Sequence, residues 1–175
     1  MKRSISIYLG LLLAVVVFMS PGCSIHYGLS GSAVPEAMRT INVGFFENNA
    51  PIVVANLSQT FTEALKDRIR NTTRLSIVNG EGDANMSGAI IGYSYAPVSV
   101  QATSPNAPPI ANASVLTITV KVKFVYAADK KLNFDQTFSK NVNFQGDLST
   151  QEQGLIKTVT TQLIDDIFNK AFNNW

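Results

Sequence analysis

The sequence predicts an α+β two-layer sandwich: about four to five strands in a mixed or antiparallel sheet, with two helices on one face. Three observations lead there. The segment "SVLTITVKVKFVY" alternates strictly, with Leu116, Ile118, Val120, Val122, Phe124 and Tyr126 facing one way and Thr117, Thr119, Lys121 and Lys123 the other. Two other segments repeat apolar residues at helical spacing, as a helix with one buried stripe requires. Turn-forming residues separate all of these, and the order reads β-α-β-β-β-β-α.

The domain opens with "TINVGFF", Thr40 to Phe46, in which Ile41, Val43 and Phe45 alternate onto one face of a half-buried strand. "ENNAPIV" is rich in turn formers and reads as a connection. In "NLSQTFTEALKDRIRN" the residues Leu57, Phe61, Leu65 and Ile69 recur every fourth position, with Asn56 as a candidate cap. The charged residues Glu63, Lys66, Asp67 and Arg70 then form a solvated face rather than a site.

"LSIVN" closes a β-α-β unit, and "EGD" turns into the long strand "ANMSGAIIGYSYAPVSVQA". Gly88 and Gly92 inside that strand predict a bulge or a close backbone approach. The loop "TSPNAPPIANAS" precedes the alternating strand, and "AADKK" turns it into "LNFDQTFSKNVNF", which keeps Leu132, Phe134, Phe138, Val142 and Phe144 on even positions. The last element runs to Trp175. Ser149 with Glu152 gives a capping-box signature, and Leu155, Val159, Leu163 and Ile167 form a stripe flanked by Ile156, Ile164, Phe168 and Phe172.

Ahead of the domain, "MKRS" is followed by an uncharged run from Ile5 to Met19 and then "SPGC". A positive start, a short apolar run and small residues before a cut define a secretory signal peptide over residues 1–22. A membrane-spanning helix needs about 20 apolar residues, and this run is shorter and ends in Pro21-Gly22. The whole chain holds 14 basic and 12 acidic residues; without Lys2 and Arg3 the balance is 12 against 12. A net-neutral mature chain has no basic field for nucleic acid, which binds through clustered cations that displace counterions.

Cys23 and His26 are the only cysteine and the only histidine. One cysteine excludes an internal disulfide and a paired-thiolate zinc site. A nucleophilic cysteine must be held as thiolate beside a base in a packed site, whereas Cys23 would be the first residue after cleavage, on a Gly/Ser-rich tether spanning residues 23–38. "SPGC" resembles the lipobox of bacterial lipoproteins: Gly22 fits, and Ser20 stands where leucine is usual. Acyl chains on Cys23, each buried methylene adding about 0.8 kcal/mol, would anchor a soluble domain of residues 39–175 without a spanning helix. Ser24 after the cysteine favours the outer membrane by analogy with lipoprotein sorting.

Chemistry is missing elsewhere. A lone histidine leaves no Ser/His/Asp triad, Asp165 and Asp166 are adjacent on a helix and point apart, and "GEGD" leads into a strand rather than the helix a phosphate loop needs. The chain is therefore read as a non-enzyme with no cofactor and no metal. What stands out is the absence of charge from position 84 to 120, 37 residues between Asp83 and Lys121. Buried central strands explain it, and so does an interface depleted of charge. On the second reading Tyr93, Tyr95, Asn106 and Pro108 are candidate partner contacts.

The lipobox cysteine, "YGLSGSAVPEAMRTINVGFFENNAPIV", "LSQTFTEALKDRI", "GAIIGYSYAPVSVQA", "LTITVKVKFVY", "FDQTFSKNVNF" and "LIDDIFNKAFNNW" together resemble the LptE family in the form found in Bacteroidota. The resemblance implies a periplasm-facing outer-membrane lipoprotein that plugs an LptD-like β-barrel and helps deliver lipopolysaccharide to the outer leaflet. It also implies a sheet backed by two helices. Basic side chains are thought to meet lipopolysaccharide in this family; by charge alone Lys121, Lys123, Lys130 and Lys131 are the candidates here. The segment "INVGFFEN…LSQTFTEALKDRIRNTTRLSIV" is also similar to the opening of Tol- and curli-type periplasmic proteins. That alternative implies a structural or secretion adaptor without a lipid substrate.

Overall fold

The computed structural model describes residues 34–97 and 113–173. The strands are β1 (Thr40–Val43), β2 (Glu47–Asn48), β3 (Ser76–Val78), β4 (Ala84–Pro97), β5 (Ala113–Tyr126) and β6 (Phe134–Gln145). The helices are α1 (Leu57–Thr72) and α2 (Leu148–Phe172), and a short 3-10 turn, Lys130–Leu132, joins β5 to β6. The strands form one mixed sheet in the order β3-β1-β4-β5-β6, with β2 also pairing β4. β1 is parallel to both β3 and β4, whereas β4, β5 and β6 form an antiparallel meander. This is the expected two-layer α+β sandwich, with α2 over β5 and β6, α1 over β2 and β3, and the helices in contact.

Alternation places the core. Every even position of β5 from Leu116 to Tyr126 is buried against the helices, while Lys121 and Lys123 are exposed on the opposite face. Helix α1 contributes Leu57, Phe61, Leu65 and Ile69, all buried, and α2 contributes Val159, Leu163, Ile167, Phe168 and Phe172. Phe124 meets Phe172 edge-on at 5.9 Å between ring centres, which ties β5 to the last turn of α2. Arg68 bridges the helices, reaching Asp165 at 3.1 Å and lying over the Phe168 ring. Asp166 turns the other way to Lys140 on β6, so the adjacent aspartates do point apart. Met38, the last residue of the expected tether, is already in the core.

Gly88 and Gly92 mark the two backbone features anticipated for β4. A methyl on Gly88 would collide with the Lys121 carbonyl and the Phe46 ring. The register with β5 shifts between Ile90 and Gly92, a bulge.

Four local expectations are corrected. β1 stops at Val43, and the chain jogs through Gly44 to start β2, a strand that the turn-rich composition of "ENNAPIV" concealed. The jog breaks the alternation: Phe46 is the buried aromatic, its ring tilted against Phe61 at 5.1 Å between centres and its N–H on the Thr62 hydroxyl, and Phe45 is 59% exposed. Asn56 precedes α1 but sits in the left-handed region at φ 63 and gives no side-chain cap. The capping box of Ser149 and Glu152 does not form, because Asp147 is the cap and accepts the Ser149 N–H.

Candidate functional site

The sequence candidates fall at two ends of the β4-β5-β6 meander. At one end, Lys121 and Lys123 project from the helix-free face of β5, where β6 sets Thr137 and Asp135 opposite them. Lys121 Nζ lies 3.4 Å from Asp135, an exposed pair that water largely screens. Lys130 and Lys131 follow in the 3-10 turn, where the Asp129 carboxylate accepts the Lys131 N–H at 3.0 Å. The hairpin therefore carries all four lysines, two on its face and two at its tip.

At the other end, Tyr93 and Tyr95 stand opposite Ile118 and Leu116. Tyr93 is 3% exposed and its hydroxyl donates to Glu152 Oε1 at 2.6 Å, which fastens β4 to the start of α2. Burial, followed by the Glu152 carboxylate, raises this phenol above its ordinary range. Tyr95, two residues on, is 54% exposed and available to a partner. Ile118 and Leu116, opposite the tyrosines, lie on the buried helix side of β5, whereas Lys121 and Lys123 project from the other face, so tyrosines and lysines do not form one site. Asn106, Pro108, Cys23 and His26 lie outside the described residues.

Two hollows escaped sequence reasoning. A cleft of about 590 Å³ opens between the N-terminal halves of the helices, lined by Val54, Leu57 and Ala64 on one side and Ile156, Lys157 and Thr160 on the other. The small side chains of Ala64 and Thr160 line it without filling it, and the buried Thr160 hydroxyl has no hydrogen-bond partner among the described residues. A second hollow of about 520 Å³ lies beside β1 and β3 among Glu36, Arg39, Arg74 and Ser76. Next to it, Asp83 Oδ2 accepts the N–H groups of Arg39 and Thr40 and the Thr40 hydroxyl, each at 2.9 Å. Those bonds, the Arg39 amide first, hold the Asp83 carboxyl below its usual value.

Among the described residues, no group of three His, Cys, Asp or Glu side chains is placed to hold a metal, and no helix is long and apolar enough to cross a membrane. What the domain offers is surface: a helix-free sheet face, a lysine hairpin, and exposed Phe45, Ile52, Val53, Ile91 and Tyr95.

The family model for LptE, described as lipopolysaccharide-assembly, matches residues 38–171, nearly all of the folded domain. The chain belongs to the LptE family. Its domain is accordingly a lipopolysaccharide-assembly domain. No curated protein matches the sequence. Among solved structures, protein XCC0632 from Xanthomonas campestris is similar at TM-score 0.53 and 9% identity, over 78% of this chain and 83% of that one. Hypothetical protein CT253 from Chlamydia trachomatis is similar at TM-score 0.52 and 8% identity, over 79% of this chain and 100% of that one. At such identities the likeness speaks for the fold alone, and it agrees with the sandwich read from the LptE-like sequence.

Proposed function

We propose that the protein is an outer-membrane lipoprotein, anchored through acyl chains on Cys23 and facing the periplasm, that acts with an LptD-like β-barrel to deliver lipopolysaccharide to the outer leaflet. The match of the LptE family model over residues 38–171 carries this reading. The protein serves as plug and assembly partner and performs no covalent chemistry of its own. The lysine hairpin, with Lys123, Lys130 and Lys131 beside the Lys121–Asp135 pair, is the surface suited to lipid phosphates. Tyr95 and the strand end that bears it suit the barrel, being exposed and free of charge.

The test is a pull-down of the lipidated protein from detergent-solubilised envelopes. Co-purification of an LptD-like barrel is expected, together with crosslinks to it from photoreactive residues placed at Tyr95 and Asn106. Recovery without any barrel would favour the adaptor reading instead. Cys23→Ala is expected to abolish metabolic acyl labelling and membrane retention; label that persists on the variant would remove the anchor from the proposal.

A further inference from the structure

Among the described residues, the far half of β4 is a sheet edge on one side. β5 follows β4 along one side as far as Pro97. On the other side β1 pairs with Ala84 to Met86 and β2 with Ala89 and Ile90, and the Asn49 N–H to Ile90 carbonyl bond, 2.8 Å, is the last of that seam. Among the described residues, no strand pairs with residues 91–97 on that side. Such an edge presents unpaired N–H and C=O groups, and proteins commonly blunt it with charge. β6, the long edge across the sheet, carries Asp135 and Lys140; residues 91–97 carry no charge. Exposed apolar groups flank it instead: Ile91 and Tyr95 on the strand, and Ile52 and Val53 on the chain that leaves its foot after Asn49.

We propose that residues 91–97 of β4 accept an extended strand from a partner protein, which lengthens the sheet in line with β2. The edge specifies its occupant. Donors and acceptors repeating along a strand at about 3.3 Å per residue are matched by another extended backbone, not by a helix or a small molecule. An uncharged edge flanked by Ile91 and Tyr95 selects an incoming strand with apolar side chains rather than a charged one. The inference rests on strand pairing alone and holds whether or not the partner is a barrel protein.

The test uses the full chain and a synthetic heptapeptide of alternating valine and threonine, followed by NMR titration and amide exchange. Saturable binding is expected, with slowed exchange of amides within residues 91–97. N-methylation along one edge of the peptide should abolish binding, and along the other edge leave it intact. Ile91→Lys and Tyr95→Lys, both at exposed positions and checked for unchanged thermal unfolding, should each weaken binding about tenfold. Absence of binding, indifference to N-methylation on both edges, or indifference to both lysines would overturn the proposal. So would amides throughout residues 91–97 that already exchange slowly in the protein alone, since the edge would then be filled by its own chain.

Discussion

The two halves of β4 are equally free of charge and lead opposite lives. From Ala84 to Ile90 the strand lies between β1 and β2 on one side and β5 on the other, with Met86 and Ile90 fully buried. From Ile91 to Pro97 it keeps β5 but has no other neighbour among the described residues, and its side chains are largely exposed except for Tyr93. Neither half contains a charge. The same silence in the sequence thus marks a core strand in one place and an open edge in the other. Charge depletion alone does not separate burial from recognition; the position of neighbouring strands does.

The sharpest way to break the buried half is Gly88→Ala. The added methyl meets the Lys121 carbonyl and the Phe46 ring, so β4 and β5 must separate or Phe46 must leave the core. A loss of about 3 kcal/mol is expected in urea unfolding, at the upper end of overpacking costs. A variant as stable as the parent would show that the two strands yield there.

Tyr93→Phe probes the one side chain that anchors the far half. Its hydroxyl bonds the Glu152 carboxylate, and removing it should cost about 1.5 kcal/mol, as for a hydrogen bond to a charged group. The pH dependence has a definite sign. The folded protein holds the phenol proton more tightly than the unfolded chain, whose tyrosine ionises near 10.0. This contribution is complete below pH 10.0 and is lost as the pH rises above it. The parent should therefore lose stability above that pH more steeply than Tyr93→Phe, measured by denaturant midpoints across the alkaline range.

The smallest effect is expected at Tyr95. Tyr95→Ala removes an exposed ring and should change stability by less than about 0.5 kcal/mol. If the midpoint falls by much more, the far half is packed as tightly as the near half, and the contrast between them disappears.

Long-period patterns made most of the fold legible. The alternation of β5 named each core residue because a strand paired on both sides cannot slip by one without exposing all of them. The stripes of α1 and α2 were equally plain. What stayed hidden depended on residues distant in the chain. Glu152 looked like a helix cap from its neighbours, yet it is engaged by a tyrosine 59 positions away. Phe45 and Phe46 exchanged roles because β1 and β2 both pair with β4, which forces a jog that no local rule anticipates. The helix cleft was illegible for a similar reason: its lining comes from both helices, Ala64 on one and Thr160 on the other among them, and neither is unusual alone. Of the candidate site residues, the lysines could be placed on their hairpin from alternation and turn position, whereas the burial of Tyr93 could not.

The clasp of Asp83 on the first residues of β1 has a mechanical consequence. β1 is the strand through which any pull from the N-terminal side enters the domain, and it lies between two parallel neighbours. Tension along it loads both ladders in shear, so bonds share the force rather than opening one after another. The Asp83 carboxylate holds the amides of Arg39 and Thr40 at the point where that load arrives. A domain held by its N-terminal side is thus gripped along a seam loaded in shear, and the far end of β4 and β5 lies away from the point where the pull enters.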